Sequence, residues 1–239
     1  MTPRPLPHGH HLRALTTADL PALHRLHDDV LRALPEPGLF RLFGGAERFL
    51  ADHLGARGQS LGVFAQDDLV GYGSVTRPTA DDLDNYAGDL GWPPERAGRV
   101  ALLSAAMVHP SCRAKGLHRT LIDSRIELAG SLGAPELLVR AAPANAVSRR
   151  TLLSHGFVVV WLGVQREGSL RHVFWRPIGG PAWGEAQADA SAVSWAAGND
   201  LAAQQKLLSD GRIGVRMRDG DSALGFVQVT ATLWQKHAL

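Results

Sequence analysis

The stretch VHPSCRAKGLHRTL, residues 108–121, runs from the end of an apolar segment through Arg113, Lys115 and Gly116 into the first turn of a helix. Upstream, RVALLSAAMVHP (99–110) reads as a buried strand from its unbroken apolar character and short length, although periodicity alone leaves a helix open. Downstream, GLHRTLIDSRIELAGSLG sets Leu117, Leu121, Ile122, Leu128 and Leu132 on a helical stripe that Gly133 ends. A loop between such elements presents consecutive backbone N–H groups at a helix N-terminus, where unsatisfied donors and the dipole favour an anion. Arg113 and Lys115 add formal charge there, and Gly116 lets a phosphate approach the backbone without a side chain in the way. The implied ligand is a phosphate, a pyrophosphate in preference to a lone carboxylate. The alternative is an ordinary strand-to-helix turn with exposed basic residues.

Spacing excludes three other sites. No Gly-Lys-Ser/Thr is present and Lys115 precedes its glycine, so this is not a Walker loop. VGYGSV, residues 70–75, lacks the third glycine and the following helix of the dinucleotide fingerprint. GQSLG, residues 58–62, has the spacing of a hydrolase nucleophile elbow around Ser60. A helix precedes it and a strand follows, the reverse of the order an elbow needs.

Working outward, TTADLPALHRLHDDVLRALP predicts a first helix, with Thr16 or Thr17 as N-cap and Asp19 in the first turn. A second helix is expected over 46–55, then a hairpin in SLGVFAQDDLVGYGSV that turns at Gln66, Asp67 and Asp68. Residues 79–98 are rich in Asp, Gly and Pro and form a long loop with room for one helical turn. Beyond the central helix come a strand in ELLVRAA, a short helix over Ala146 to Ser154, and a second hairpin, FVVVWLGV and LRHVFWRPI. Gly and Pro cluster at 178–184, where a boundary is placed. A helix or two over 185–209 and a hairpin with one apolar and one basic face follow. This extension has too little core to fold alone, so it packs on the main domain or across a homodimer.

Composition narrows the class. With 45% hydrophobic and 20% charged residues and no apolar run near the roughly 20 residues of a span, a soluble globular chain is expected, with no membrane partner. The prolines and histidines of MTPRPLPHGHHLRAL do not suit a secretory signal. A net charge of +2 without a basic tract gives no nucleic-acid footprint. One cysteine, Cys112, excludes an internal disulfide framework and fits a reducing, cytoplasmic setting. The histidines of HGHH (8–11) and the pair His24 and His27 would need to converge to hold a metal, and no metal site is expected.

At this point the sequence resembles the GCN5-related N-acetyltransferase (GNAT) superfamily, which carries Val-x-Pro-x-x-Arg/Gln-x-x-Gly-x-Gly/Ala before a helix. Here the pattern reads VHPSCRAKGLH, and NAVSRRTLLSHGF (145–157) is similar to the family's Asn-led helix ending in Gly-Phe. The likeness runs over residues 11–178, leaving 1–10 as a flexible N-terminus and 179–239 as a C-terminal extension of helix and hairpin. It implies an α/β (α+β) fold: a mixed, mostly antiparallel sheet flanked by helices, whose fourth and fifth strands splay to receive the pantetheine of acetyl-CoA. It further implies that main-chain groups of Met107 and Val108 hold the pantetheine. The N–H groups of Arg113, Ala114, Lys115, Gly116, Leu117, His118 and Arg119 would hold the pyrophosphate, with Thr120 near the helix start. Asn145 would approach the pantetheine, and Ser148 and Arg149 would lie near the cofactor. The implied activity is acyl transfer from acetyl-CoA or another acyl-CoA to a small-molecule or peptide amine, by direct attack.

Departures from the pattern bear on the chemistry. His118 stands where Gly or Ala is usual, and either crowds the phosphate, donates to it, or points off the helix. Leu152 replaces a Tyr that protonates the leaving thiolate in many members, and no carboxylate lies in RVALLSAAMV, where many carry a Glu base. The catalytic residues are therefore open. Ser104, Tyr86 and His155 are candidates, with a hydrogen-bonded core serine, a solvated loop and a helix-end histidine as their plain alternatives. Asp81, Asp82, Asp84, Asp89 and Glu95 offer carboxylates for a base. The rival reading is a non-catalytic acyl-CoA-binding or regulatory protein on the same fold.

Overall fold

Leu23, Leu26, His27 and Val30 recur at the spacing of one helical face and all are buried, which drives Leu20–Arg32 to form helix α1. Asp19 fixes its start by accepting the Thr16 N–H at 2.9 Å, so Thr16 rather than Thr17 is the cap residue of the turn Thr17–Asp19 that leads in. A computed structural model describes residues 5–36, 39, 40, 47, 50, 52–165, 168–180 and 193–228. The chain divides into two compact units, Met1–Pro78 with Ala101–Ala134, and Thr79–Val100 with Pro135–Leu239.

The first unit holds strands β1 (His10–Ala14), β2 (Gly58–Ala65), β3 (Asp68–Thr76) and β4 (Ala101–Val108), antiparallel in that order. Helix α2 (Leu117–Ser131) follows β4. The β2–β3 ladder slips by one residue, pairing Val63 with Gly71 and Phe64 with Leu69, so Val70 opposes no residue. This bulge turns Val70 onto the face of Val63, Leu117 and Leu121, while Leu69 and Tyr72 stay with Leu23, Leu26 and Phe64. The buried Arg125 of α2 donates to the carbonyls of Ala105 (2.9 Å) and Leu121 (3.0 Å). It lies so close to β3 that a Cβ on Gly73 would sit 2.7 Å from its Nε, which accounts for the glycine. Helix α2 ends as its sequence directs: Gly133 is left-handed (φ 75°), and the Ala134 N–H reaches back to the Ala129 carbonyl at 3.1 Å.

Strand β1 departs from expectation, since His10 and His11 stand in a ladder opposite Ala65 and Phe64. Its polar residues belong to an edge strand, which needs only one apolar face. Of the helix expected over 46–55, residues 47, 50 and 52 are helical and 53–55 are turn or bend, while 46, 48, 49 and 51 lie outside the described residues.

The second unit contains β5 (Glu136–Ala141), helix α3 (Ala146–Ser154), β6 (Val158–Val164), β7 (Leu170–Pro177), β8 (Ser194–Ala196), helix α4 (Leu201–Ser209), β9 (Arg212–Met217) and β10 (Leu224–Gln228). Its strand order is β5-β7-β6-β9-β10-β8, with neighbouring strands antiparallel. Strand β9 joins β6 of the same chain at Val159 and Gly214. Of the helix expected over 185–209, Leu201–Ser209 forms; residues 194–196 are strand instead, because pairing with β10 overrides an alanine-rich composition, and 181–192 lie outside the described residues.

The long loop 79–98 carries one helical turn, Pro94–Ala97. Arg96 in it stacks on Trp92, 3.5 Å from the ring centroid, and donates to Glu136 through Nε (2.9 Å) and Nη2 (2.8 Å). Trp175 Nε1 donates to the same carboxylate at 2.7 Å.

His172, fully buried on β7, reaches Gln204 of α4 through Nε2 at 2.8 Å. Gln204 Nε2 donates to the carbonyls of Ala197 and Gly198, so its Oε1 faces the imidazole and His172 Nε2 carries the hydrogen. Burial, opposed by the Gln204 bond and reinforced by nearby Arg149, lowers the His172 pKa from 6.5 to about 4. Between those values the unfolded chain binds a proton that the folded chain does not. Stability is therefore full above pH 6.5 and falls toward pH 4, by about 3 kcal/mol in all. Urea midpoints for His172→Asn are expected to lose much of that slope between pH 6.5 and 4.5; an unchanged slope contradicts this assignment.

Candidate acyl-CoA site

The turn Pro110–Cys112 follows β4 directly, and Gly116 caps α2 in the left-handed region at φ 81°. Ala114 is left-handed too, at φ 62°. Two left-handed residues with Lys115 between them aim successive N–H groups into one concavity, the geometry of an anion nest. Several N–H groups are already used: Arg113 donates to the Pro110 carbonyl, and Arg119 and Thr120 donate to that of Gly116. The N–H groups of Ala114, Lys115, Gly116 and Leu117 have no backbone acceptor among the described residues. The donor set is thus narrower than the expected run from Arg113 to Arg119. Arg113, Lys115 and Arg119 are exposed around it, and a Cβ built on Gly116 would meet nothing within 4 Å, so the mouth is open. Left-handed backbone costs an L-residue about 1–2 kcal/mol, so Ala114→Gly is expected to raise stability by about 1 kcal/mol in urea unfolding. No gain would mean the loop relaxes.

Leu117 is buried with Val63, Val70, Cys112 and Leu121 and anchors the helix start. His118 is half-buried. Thr120 is buried and lines a groove of about 450 Å³ with Leu6, Leu12, Leu61, Ser124 and Leu128. Met107 pairs with Tyr72, and Val108 with Gly71; the Met107 side chain fills the core, so only its main chain is offered to a ligand.

The remaining expected residues sit on α3 of the second unit. Asn145 caps that helix, Oδ1 accepting the Ser148 N–H at 3.0 Å. Arg149 is 1% exposed and its Nε and Nη1 have no hydrogen-bond partner among the described residues; burial and then Arg150 lower its pKa.

The catalytic candidates have structural employment. Ser104 accepts from Thr76 Oγ1 at 3.1 Å. Tyr86 is buried beneath Arg140, whose guanidinium carbon lies 3.7 Å from the ring centroid. His155 donates from Nδ1 to the Thr151 carbonyl (2.6 Å) at the end of α3, and its own carbonyl accepts from Arg176. Ser60 is buried within β2 and bonds Ser74 Oγ and the His53 carbonyl, which removes the elbow reading. In the loop, Asp82 accepts the Thr79 N–H at 2.7 Å, and Asp89 pairs with Arg140 and Gln165. Arg140 and Gln165 escaped sequence reasoning, since no local spacing ties residues 89, 140 and 165 together. Among the described residues, no three His, Cys, Asp or Glu side chains gather to hold a metal, and no helix is long and apolar enough to cross a membrane.

Residues 22–157, including the nest and α3, match the model of the acetyltransferase (GNAT) family. The chain belongs to that family. No curated protein matches it. Among solved structures, GNAT folds recur. The ribosomal-protein-S18-alanine N-acetyltransferase of Escherichia coli superposes with a TM-score of 0.52 at 17% identity, covering 75% of this chain and 99% of that one. NAA60 of Arabidopsis thaliana, solved with acetyl-CoA, gives 0.54 at 16% identity over 72% and 99%. The putative acetyltransferase yncA of Salmonella typhimurium, also with acetyl-CoA, gives 0.54 at 20% identity over 74% and 98%. At these identities the likeness establishes the GNAT fold, a mostly antiparallel sheet flanked by helices, and leaves the acceptor to other arguments.

Proposed function

We propose that the protein transfers an acyl group, acetyl foremost, from acyl-CoA to a primary amine, in a reducing, cytoplasmic setting suggested by its one cysteine. The observation that carries this is the nest: four consecutive N–H groups, from Ala114 to Leu117, lie without a backbone acceptor among the described residues beside the exposed Arg113, Lys115 and Arg119. That arrangement suits a diphosphate better than a carboxylate, because several donors are held in place with no side chain of their own. When bound, acetyl-CoA supplies an activated thioester. The main chain of Met107 and Val108 would hold the pantetheine. In the transfer, the amine nitrogen bonds the acyl carbon, the carbon–sulfur bond breaks, and the amine proton leaves as the thiolate gains one. With Leu152 fully within the core, water is the proton donor we assign to the thiolate.

The test is release of free thiol from acetyl-CoA with a mixed panel of amines. Amine-dependent release supports the transferase. Acetyl-CoA binding without release from any amine would instead favour a non-catalytic binder, and no binding at all would overturn both.

A further inference from the structure

The amides that lead into the nest all have acceptors, and His109 supplies several of them. Its own N–H donates to the Val70 carbonyl at 2.8 Å, which ties it to β3. Its carbonyl accepts the Cys112 N–H at 2.9 Å. Its side chain accepts the Ser111 N–H at Nδ1 (3.3 Å), and Ser111 Oγ lies 2.7 Å from the same nitrogen. Pro110 has no N–H to place, and Arg113 donates to the Pro110 carbonyl at 3.3 Å. The first amide without a backbone acceptor among the described residues is therefore that of Ala114, where the left-handed backbone begins. All of these residues belong to the first unit.

A backbone N–H donating to Nδ1 requires that nitrogen to carry no hydrogen, so the ring hydrogen belongs on Nε2. Asp29 Oδ2 of α1 lies 3.7 Å from Nε2 and favours the same tautomer, while Asp29 Oδ1 takes Arg32 at 3.0 Å. Ser111 Oγ then donates to Nδ1 and shares it with the Ser111 N–H. The His109 and Asp29 side chains are 33% and 43% exposed, so their ion pair adds little, and the acceptor nitrogen is the part that matters. Resting on the reading that residues 114–117 hold the CoA diphosphate, we propose that His109 is a positioning residue for that site. Through Nδ1 it locks the turn Pro110–Cys112 before the ligand arrives, so that the nest is already shaped. Without this acceptor the turn is free to open, and ordering it again at binding lowers affinity.

Two amide side chains separate the roles of the ring nitrogens. Asparagine sets its Oδ1 close to the place of Nδ1 and accepts there, whereas glutamine reaches toward the place of Nε2 and leaves Nδ1 without a substitute. Calorimetric titration with CoA is expected to find His109→Asn within about 2-fold of the native protein and His109→Gln about 5- to 10-fold weaker, the size of a lost cap. Asp29→Asn is expected to stay within about 2-fold, since an exposed pair contributes little. Rescue by asparagine alone is what a general packing role for the ring does not produce. If His109→Gln fails to fold, His109→Asn decides: native-like affinity supports the role, and a loss of about 5-fold or more overturns it. Native-like affinity in His109→Gln, or equal losses in both variants, overturns the inference and leaves CoA binding at the nest standing. Absence of CoA binding by the unaltered protein would instead remove the underlying reading.

Discussion

Gly116→Val is expected to weaken acetyl-CoA binding about 100-fold while the protein still folds, as read by calorimetry and urea unfolding. Gly116 sits at φ 81° within the nest, and its amide is one of four that have no backbone acceptor among the described residues. A branched side chain there does two things. It disfavours the left-handed backbone, costing about 1–2 kcal/mol, and it stands where an oxyanion must approach. A control separates the two. Gly133 is also left-handed, at φ 75°, but ends α2 away from the nest. Gly133→Val should carry a similar stability cost with unchanged affinity, whereas an affinity for Gly116→Val equal to the native value would mean the diphosphate lies elsewhere.

Glu136→Gln is expected to destabilise the fold by about 3 kcal/mol, because removing one partner strands a buried charge. The Glu136 carboxylate takes three hydrogen bonds, two from Arg96 and one from Trp175. The paired side chains are only 13% and 7% exposed, so water cannot compensate. Replacing both members, Arg96→Met with Glu136→Met, should recover much of the loss, since an apolar pair leaves no uncompensated charge. Urea midpoints followed by tryptophan fluorescence measure both; a loss below about 0.5 kcal/mol for Glu136→Gln would show the pair to be solvated.

Local elements could be read from the sequence because their determinants lie within a few residues. Helix α2 announces itself by its apolar stripe and by glycines at both ends, and the β2–β3 hairpin by its two β-rich runs around Gln66, Asp67 and Asp68. The nest was legible for the same reason: Arg113, Lys115 and Gly116 are neighbours in the chain. Its sharper feature, the left-handed Ala114, was not, because alanine carries no signal for that backbone. Nor were β1 and β8. Each is short and polar or alanine-rich, and each exists through a partner strand, β2 for one and β10 for the other. The attachments of loop 79–98 were hidden by distance along the chain. Arg96 reaches Glu136 across 40 residues, and Gln165 reaches Asp89 across 76. Acidic loop residues looked free in sequence for that reason alone.

The central claim is that the backbone amides of residues 114–117 hold the diphosphate of CoA. Amide chemical shifts of the labelled protein, followed by NMR during titration with CoA, test it most directly. The expected result is saturable movement of the amides of Ala114, Lys115, Gly116 and Leu117, with those of Arg119 and Thr120, already bonded to the Gly116 carbonyl, moving less. Saturable CoA binding that leaves these four amides unmoved would contradict it.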